Sequence, residues 1–257
     1  MPGPVRTEAV VLRSMRYGEA DRILHVYTLH RGRVSAIAKG VRRARSRFGG
    51  RLEPFFRLQL ELHEGRGELL TVTGAHTVDA HARLRGDARA LDGASRACDA
   101  VGRLFETSEP HPAVFHLLCR QLALLDERAG PSAASTASTG STGPSGAAVA
   151  WAQALAFRLK LLLAAGLAPQ LGACANCGSG EHLVGFSGAA GGVVCSACEA
   201  GSFALSQEAH GFMTEALGRA LAETPVASDP ALRQAERAIS ATVEHHAHVR
   251  LAPAAAA

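Results

Sequence analysis

The sequence lacks the features of secreted and membrane-spanning proteins. No apolar segment follows its first residues, because Arg6, Glu8 and Arg13 interrupt the pattern that a signal peptide requires. The longest apolar stretch, near residues 161–166, is far too short to cross a bilayer. Cysteine is scarce as well, since six cysteines in 257 residues do not support a disulfide framework in a chain of this size. We therefore expect a folded cytoplasmic protein.

Acidic residues are absent between Arg31 and Arg51, a segment that is instead crowded with positive charge. Such a density of like charges repels itself unless an anion lies near. Cations that neutralise phosphates, beside rings on which bases stack, are typical of a groove for single-stranded nucleic acid, whereas the alternative is a solvated basic loop. The residues predicted to bind DNA are Arg31, Arg33, Lys39, Arg42, Arg43, Arg45, Arg47 and Arg51, and the nearby rings are Phe48, Phe55 and Phe56.

The first 80 residues show the period of two that is typical of β-strands. In residues 56–63, Leu58, Leu60 and Leu62 alternate with polar residues, which predicts one buried face that also includes Phe56. Five short antiparallel strands, with a long basic connection between the third and the fourth, predict a small barrel of the oligonucleotide-binding (OB) type. The alternative is a small barrel with no nucleic-acid role. The predicted strands are residues 7–13, 22–29, 33–39, 56–63 and 69–78.

After residue 80 the period changes to 3.6, which predicts amphipathic helices that pack as a bundle. A first helix carries Leu91 to Phe105, and two more follow at residues 112–128 and 148–165. Two further helices, with Ser206 and Asp229 as N-caps, complete the bundle. Cys98 and Cys119 lie on the apolar faces and are assigned to core packing. Residues 129–147 have no large apolar side chain, which predicts a disordered loop.

Four cysteines form two Cys-x-x-Cys pairs, Cys174 with Cys177 and Cys195 with Cys198, and seventeen residues separate the pairs. This spacing is typical of a four-thiolate zinc site, and a short hairpin between the pairs would make a zinc ribbon. Four thiolates leave no position for a bound water, which favours one structural zinc ion over a catalytic one. A redox dithiol is the alternative, and His182 is a possible substitute ligand.

These patterns together predict an α+β protein in which an N-terminal five-stranded OB-fold barrel precedes an α-helical bundle domain with an inserted four-cysteine zinc ribbon. The expected domains are a DNA-binding OB-fold over residues 1–80, a helical domain over 81–172, the zinc ribbon over 173–202, C-terminal helices that complete the helical domain over 203–248, and a disordered tail over 249–257.

Several short segments occur in a characteristic order along the chain. They include Glu-Ala-Val-Val-Leu-Arg at 8–13, Tyr-Gly-Glu-Ala-Asp-Arg at 17–22, Lys-Gly-Val-Arg-Arg at 39–43, Ser-Arg-Phe-Gly-Gly-Arg-Leu-Glu-Pro-Phe at 46–55, Phe-Arg-Leu-Lys-Leu-Leu at 157–162 and Gly-Leu-Ala-Pro at 166–169. Their order and spacing, over nearly the whole chain, resemble the bacterial RecO family of DNA repair proteins. Residues 129–147 and 245–257 depart from the family pattern.

The resemblance implies a nucleoid-associated recombination mediator without enzymatic turnover. Members of the family bind single- and double-stranded DNA, anneal complementary strands, engage the C-terminal tail of the single-strand-binding protein, and with RecR help to load RecA. Two other hypotheses stay open. One is a zinc-dependent enzyme acting on nucleic acid, although no constellation of Asp, Glu and His accompanies the cysteines. The other is a zinc-containing scaffold whose basic barrel binds acidic peptides.

Overall fold

The computed structural model describes residues 5–43, 45–65, 67, 69–129 and 145–254. Contacts between residues divide the chain into two compact units, Met1–Ala134 and Ser135–Ala257. The predicted loop over 129–147 lies almost wholly outside the described residues, as do the last three residues of the predicted tail.

The N-terminal unit contains a closed five-stranded barrel, as predicted. Its strands are β1 (Val5–Tyr17), β2 (Asp21–Thr28), β3 (Gly32–Ala38), β4 (Arg57–His63) and β5 (Leu70–Asp79), in the order β1-β2-β3-β5-β4. Four of the pairings are antiparallel, but β3 and β5 pair in parallel, at Ala36 with Leu70 and Ile37 with Thr71. The prediction of antiparallel strands throughout is therefore wrong at this one pairing. The parallel pairing of β3 with β5 closes the barrel, so that no strand edge is left free.

The barrel core is built from the side chains that the period-two pattern assigned to the inside. Leu58, Leu60 and Leu62 of β4 are fully buried, and they pack with Leu24 and Val26 of β2. The polar residues between them face outward, which accounts for the alternation in the sequence.

Two helices follow the barrel within the same unit. They are α1 (Ala88–Leu104), whose N-terminal amides donate to the side chain of Asp87, and α2 (Pro112–Arg128), which has proline in its first turn. Cys98 on α1 is buried, and burial raises the pKa of its thiol above the ordinary range. Burial likewise raises the pKa of Cys119 on α2 to about 11, so both thiols are protonated packing groups.

In its described residues, the C-terminal unit contains three α-helices and a small sheet, with short helical turns between them. The helices are α3 (Gly146–Ala164), α4 (Gln207–Gly218) and α5 (Asp229–Thr242), and the sheet strands are β6 (Leu183–Ser187), β7 (Gly192–Cys195) and β8 (Phe203–Ala204). Ser206 caps α4, as predicted. The cap of α5 is Ser228 and not Asp229, because the hydroxyl of Ser228 accepts from the Ala231 amide.

Helix α3 forms the core of this unit. Among the described residues it is the one helix long and apolar enough to cross a membrane, so the expectation based on residues 161–166 underestimated the apolar stretch. Half of its apolar window is buried against the protein, and the helix packs on α4 and α5. Arg158 is buried within it and lies 3.7 Å from Glu236 on α5, a contact typical of a core helix.

The residues just before the C-terminus are packed against the helices. Arg158 donates to the carbonyl oxygen of Ala252 at 2.5 Å, and the amide of Ala254 donates to the carboxylate of Glu236. Ala254 is itself buried. The prediction of a disordered tail over 249–257 is therefore wrong for residues 252–254. The carbonyl oxygen of Ala252 accepts a hydrogen bond from Arg158, and the sequence pattern did not indicate that this arginine is buried.

The expected domain boundaries stay a prediction. The division of the chain into two units shows which helices lie in the same unit as the barrel and which lie with the four cysteines. Helices α1 and α2 belong to the unit that holds the barrel, whereas α3, α4 and α5 belong to the unit that holds the four cysteines.

Gly32, at the start of β3, provides a test of the packing beside the barrel. Its φ is +54°, and an added Cβ would lie 2.2 Å from the backbone oxygen of Glu109. Gly18 has nearly the same φ, +55°, with open space around it. We expect Gly18→Ala to lower the free energy of unfolding by about 1–2 kcal/mol, because of the backbone conformation alone. Gly32→Ala should lower it by clearly more, because the added Cβ also meets the backbone of Glu109. Amide hydrogen exchange of the barrel strands measures both losses, and equal losses would contradict the close approach.

Candidate nucleic-acid interface and metal centre

The connection between β3 and β4, residues 39–56, is here called the basic loop, and apolar side chains anchor it to the barrel. Phe48 and Leu52 are 2% and 1% exposed and belong to the barrel core, with Val41 packed beside them. Successive turns follow along the loop, in which the amides of Ser46, Gly49 and Arg51 donate to carbonyl oxygens three residues earlier. The anchors fix the loop, and the charged side chains between them remain outside.

A second set of contacts holds the start of the basic loop against the turn between β1 and β2. The carboxylate of Asp21 accepts from the amide of Gly40 at 2.8 Å. The amide of Arg42 donates to the carbonyl oxygen of Ala20 at 3.0 Å, and its guanidinium donates to that of Glu19 at 3.1 Å. No local pattern of residues indicates these contacts, because they join residues about twenty positions apart.

The eight predicted DNA-binding residues fall into two groups. Arg31 is paired with Glu64, and Arg33 donates to the carbonyl oxygen of Gly102 at 2.9 Å and lies 3.7 Å from Glu106. The other six make no ion pair with a carboxylate in the described part of the chain. Those six are Lys39, Arg42, Arg43, Arg45, Arg47 and Arg51, and all of them are exposed.

The structure corrects the expected role of the neighbouring rings. Phe48 is buried in the barrel core and offers no face to a base, although Arg47 lies over its ring, 4.8 Å from the centroid. Phe56 is partly buried against the same core, as predicted, with Arg85 4.9 Å above it. Phe55, with a φ of +73°, is half-buried. The proposed stacking surface is therefore not formed by these rings as a group.

The four predicted metal ligands come together in the C-terminal unit. The sulfur atoms of Cys174, Cys177, Cys195 and Cys198 lie within 4.8 Å of one another, and those of Cys177 and Cys195 are 3.7 Å apart. In a tetrahedral zinc–thiolate site with bonds of about 2.3 Å, sulfur atoms are about 3.8 Å apart. The cluster thus fits a zinc ion in composition and size. His182 is not part of it.

The local backbone explains why these sulfurs converge. Gly178 follows the first pair with a φ of +78°, and its amide donates to the carbonyl oxygen of Cys174 at 2.8 Å, which closes a tight turn. The second pair begins at Cys195, the last residue of β7, which is paired with β6, and the amide of Ala175 donates to the carbonyl oxygen of Val193 at 2.8 Å. The hairpin therefore brings the two turns together.

The acidity of the thiols is uneven across the cluster. Backbone amides, first that of Cys195 and then that of Cys177, donate to Cys174 and lower its pKa to about 6. The neighbouring thiols of Cys177 and Cys195 raise the pKa of Cys198 to about 12. Four sulfurs this close cannot all carry negative charge unless a cation lies among them, and a divalent ion would supply that charge.

A closed five-stranded barrel of the OB type with a basic loop is typical of nucleic-acid-binding proteins, and four cysteines further along this chain are able to hold a metal. The family model "Recombination protein O N terminal" matches residues 1–81, and "Recombination protein O C terminal" matches residues 145–252. The chain belongs to the recombination protein O (RecO) family of DNA repair proteins.

Curated relatives agree with this assignment. The chain is 38% identical over 256 residues to the DNA repair protein RecO of Anaeromyxobacter sp. (strain K). The aligned region covers 96% of this chain and 93% of the relative. It is 37% identical over 252 residues to that of Rubrobacter xylanophilus, with 94% and 90% covered, and 35% identical over 217 residues to that of Geobacter sulfurreducens, with 84% and 81% covered.

The burial of Phe48 yields a test that separates anchoring from base stacking. We expect Phe48→Ala to destabilise the barrel by about 3–5 kcal/mol, as for other buried phenylalanines, and Phe48→Leu to cost much less. Hydrogen exchange of the barrel amides measures both values. A loss of DNA affinity without any loss of stability in Phe48→Ala would instead favour stacking.

Proposed function

We propose that this protein is a recombination mediator that binds single- and double-stranded DNA through the basic loop and anneals complementary strands. The observation that carries the proposal is the set of six exposed cations with no carboxylate partner in the described part of the chain. Cations that the fold does not neutralise are available for phosphates, and their binding releases counterions from the DNA. Arg31 and Arg33, which are already paired, contribute less.

Annealing by this surface needs no catalytic residue. Two complementary strands repel each other through their phosphates, and a protein that neutralises both removes part of that barrier. The anchors hold the backbone of the loop, so the ordering that DNA binding requires is mainly that of the exposed cationic side chains. We therefore propose that the protein acts without enzymatic turnover, as a binding surface for two strands.

The same surface offers a binding site for an acidic peptide. We propose that the C-terminal tail of the single-strand-binding protein engages it, and that RecR acts with this protein to load RecA onto coated strands. The exposed cations also support a second candidate function, a zinc-containing scaffold that binds acidic peptides but not DNA, because guanidinium groups pair with carboxylates as readily as with phosphates.

We propose that the four cysteines hold one structural zinc ion. All four ligand positions would be filled by sulfur, so the ion would have no site for water or substrate and would stabilise the ribbon. The zinc-dependent enzyme considered from the sequence would require an open coordination position, which this donor set does not leave.

Replacing Arg42, Arg43 and Arg45 with alanine tests the phosphate contacts. For a single strand, each phosphate contact contributes about 0.7 to the slope of log K against log salt, so the triple variant should lose a slope of about 2 and roughly 100-fold in affinity at 0.1 M salt. Fluorescence anisotropy with a labelled oligonucleotide across a salt series measures both.

A triple variant at Arg83, Arg89 and Arg233 is the matched control, since it removes the same charge from exposed arginines that likewise make no ion pair in the described part of the chain. It should keep most of the affinity. If the two triple variants lose the same affinity and slope, binding depends on net charge alone and the basic loop is not the site.

Substitution of one proposed ligand tests the metal site. We expect the purified protein to contain one zinc ion per chain, and Cys177→Ser to contain far less. Cys119→Ser, outside the cluster, is the control and should retain the metal. Atomic emission analysis of dialysed protein measures the content, and an unchanged content in Cys177→Ser would overturn the four-thiolate assignment.

Annealing of complementary strands, with and without a single-strand-binding protein, tests the mediator function. We expect acceleration that persists on coated strands and weakens as salt increases. Binding to the acidic tail peptide, with neither DNA binding nor annealing at low salt, would favour the scaffold.

A further inference from the structure

The chain has few aromatic residues, and all but one of them are buried or half-buried in the structure. The nine Phe, two Tyr and one Trp all lie in the described part of the chain. Of these twelve, Tyr17 is the one with a largely exposed side chain, at 54%; Tyr27, the other tyrosine, is fully buried. A ring exposed to this extent is available to a ligand.

The position of Tyr17 links it to the basic loop. Tyr17 ends β1 and is the cross-strand partner of Asp21, the residue whose carboxylate accepts from the amide of Gly40. The turn between Tyr17 and Asp21 also accepts both hydrogen bonds of Arg42 described above. Tyr17 therefore flanks a turn that is hydrogen-bonded to the start of the basic loop.

The strand register places these groups at the same end of the barrel. Tyr17 is the last residue of β1. On β2, the neighbouring Arg22 is paired with Ala38, the last residue of β3, and Lys39 comes directly after Ala38. Two strand spacings separate β1 from β3, a distance of about 10 Å. A single nucleic-acid strand can thus contact the ring with a base and the loop with its phosphates.

We propose that Tyr17 is the base-stacking residue of the DNA site and that it confers a preference for single-stranded over duplex DNA. The proposal rests on the proposed DNA-binding function and extends it to a residue outside the cationic set. Bases of a single strand have free faces that stack on an aromatic ring, whereas bases within a duplex are already stacked on one another. The phosphates are common to both forms, so the cations alone do not discriminate in this way.

The test compares Tyr17→Ala with the wild-type chain on a labelled single strand and on a blunt duplex of the same sequence. We expect the variant to lose between about 5-fold and about 150-fold in affinity for the single strand, the range for removal of one stacked base. Affinity for the duplex should be unchanged. The salt slope should also be unchanged, because no charge is removed.

Three controls define the contribution of the ring. Tyr17→Phe, which keeps the aromatic face, should bind the single strand within about twofold of wild type. Val78→Ala removes another exposed apolar side chain from the same barrel and should have no effect. On a strand whose bases are replaced by abasic sites, Tyr17→Ala should cause no further loss, since no base remains to stack.

The outcomes separate this proposal from the one it rests on. If Tyr17→Ala binds the single strand as wild type does, while the triple arginine variant is impaired, the stacking role is overturned and the DNA-binding proposal stands. If single-strand and duplex affinity fall together, Tyr17 only positions the basic loop and its stacking role is overturned. If the wild-type chain binds neither DNA at low salt, both proposals fail.

Discussion

The N-terminal unit depends on one constraint: a loop dense in positive charge must be held against a hydrophobic core. Phe48 and Leu52 meet this constraint by burial in the barrel, and Asp21 secures the start of the loop through a backbone amide. The free energy of burying these two apolar side chains opposes the repulsion among the cations. The charged side chains then remain at the surface, where they can be neutralised by a polyanion, and that location is the basis of the proposed function.

The C-terminal unit meets a different constraint, since a three-stranded sheet of short strands has little core of its own. The cluster of buried residues around Cys174, Val194 and Cys195 is small. Convergence of four thiols at this cluster provides a site at which a metal ion would connect the two turns, as it does in small domains that lack a large hydrophobic core. The long apolar helix α3, by contrast, contributes more buried apolar side chains than either of the helices that pack on it.

Electrostatic pairing distinguishes residues that look alike in the sequence. Arg31, Arg33 and Arg42 all lie in the same basic stretch, but carboxylates on other elements neutralise the first two. Those carboxylates, Glu64 and Glu106, are remote in sequence, so counting charges along the chain overestimates the exposed cationic surface. The rings show the same effect, because Phe48 lies among arginines in the sequence and within the core in the fold.

The sequence by itself determined the strands and helices and identified the four cysteines that form the metal site. The alternation in β4 predicted a half-buried strand, the 3.6-residue period predicted the helices, and the spacing of Cys174, Cys177, Cys195 and Cys198 predicted a shared site, because each of these signals is short-range. Only the tertiary structure decided which strands pair in parallel, which arginines are already neutralised, that residues 252–254 pack on the helices, and that Tyr17 is the exposed ring. Each of these depends on contacts between residues far apart in the chain, whose geometry no local pattern of residue types specifies.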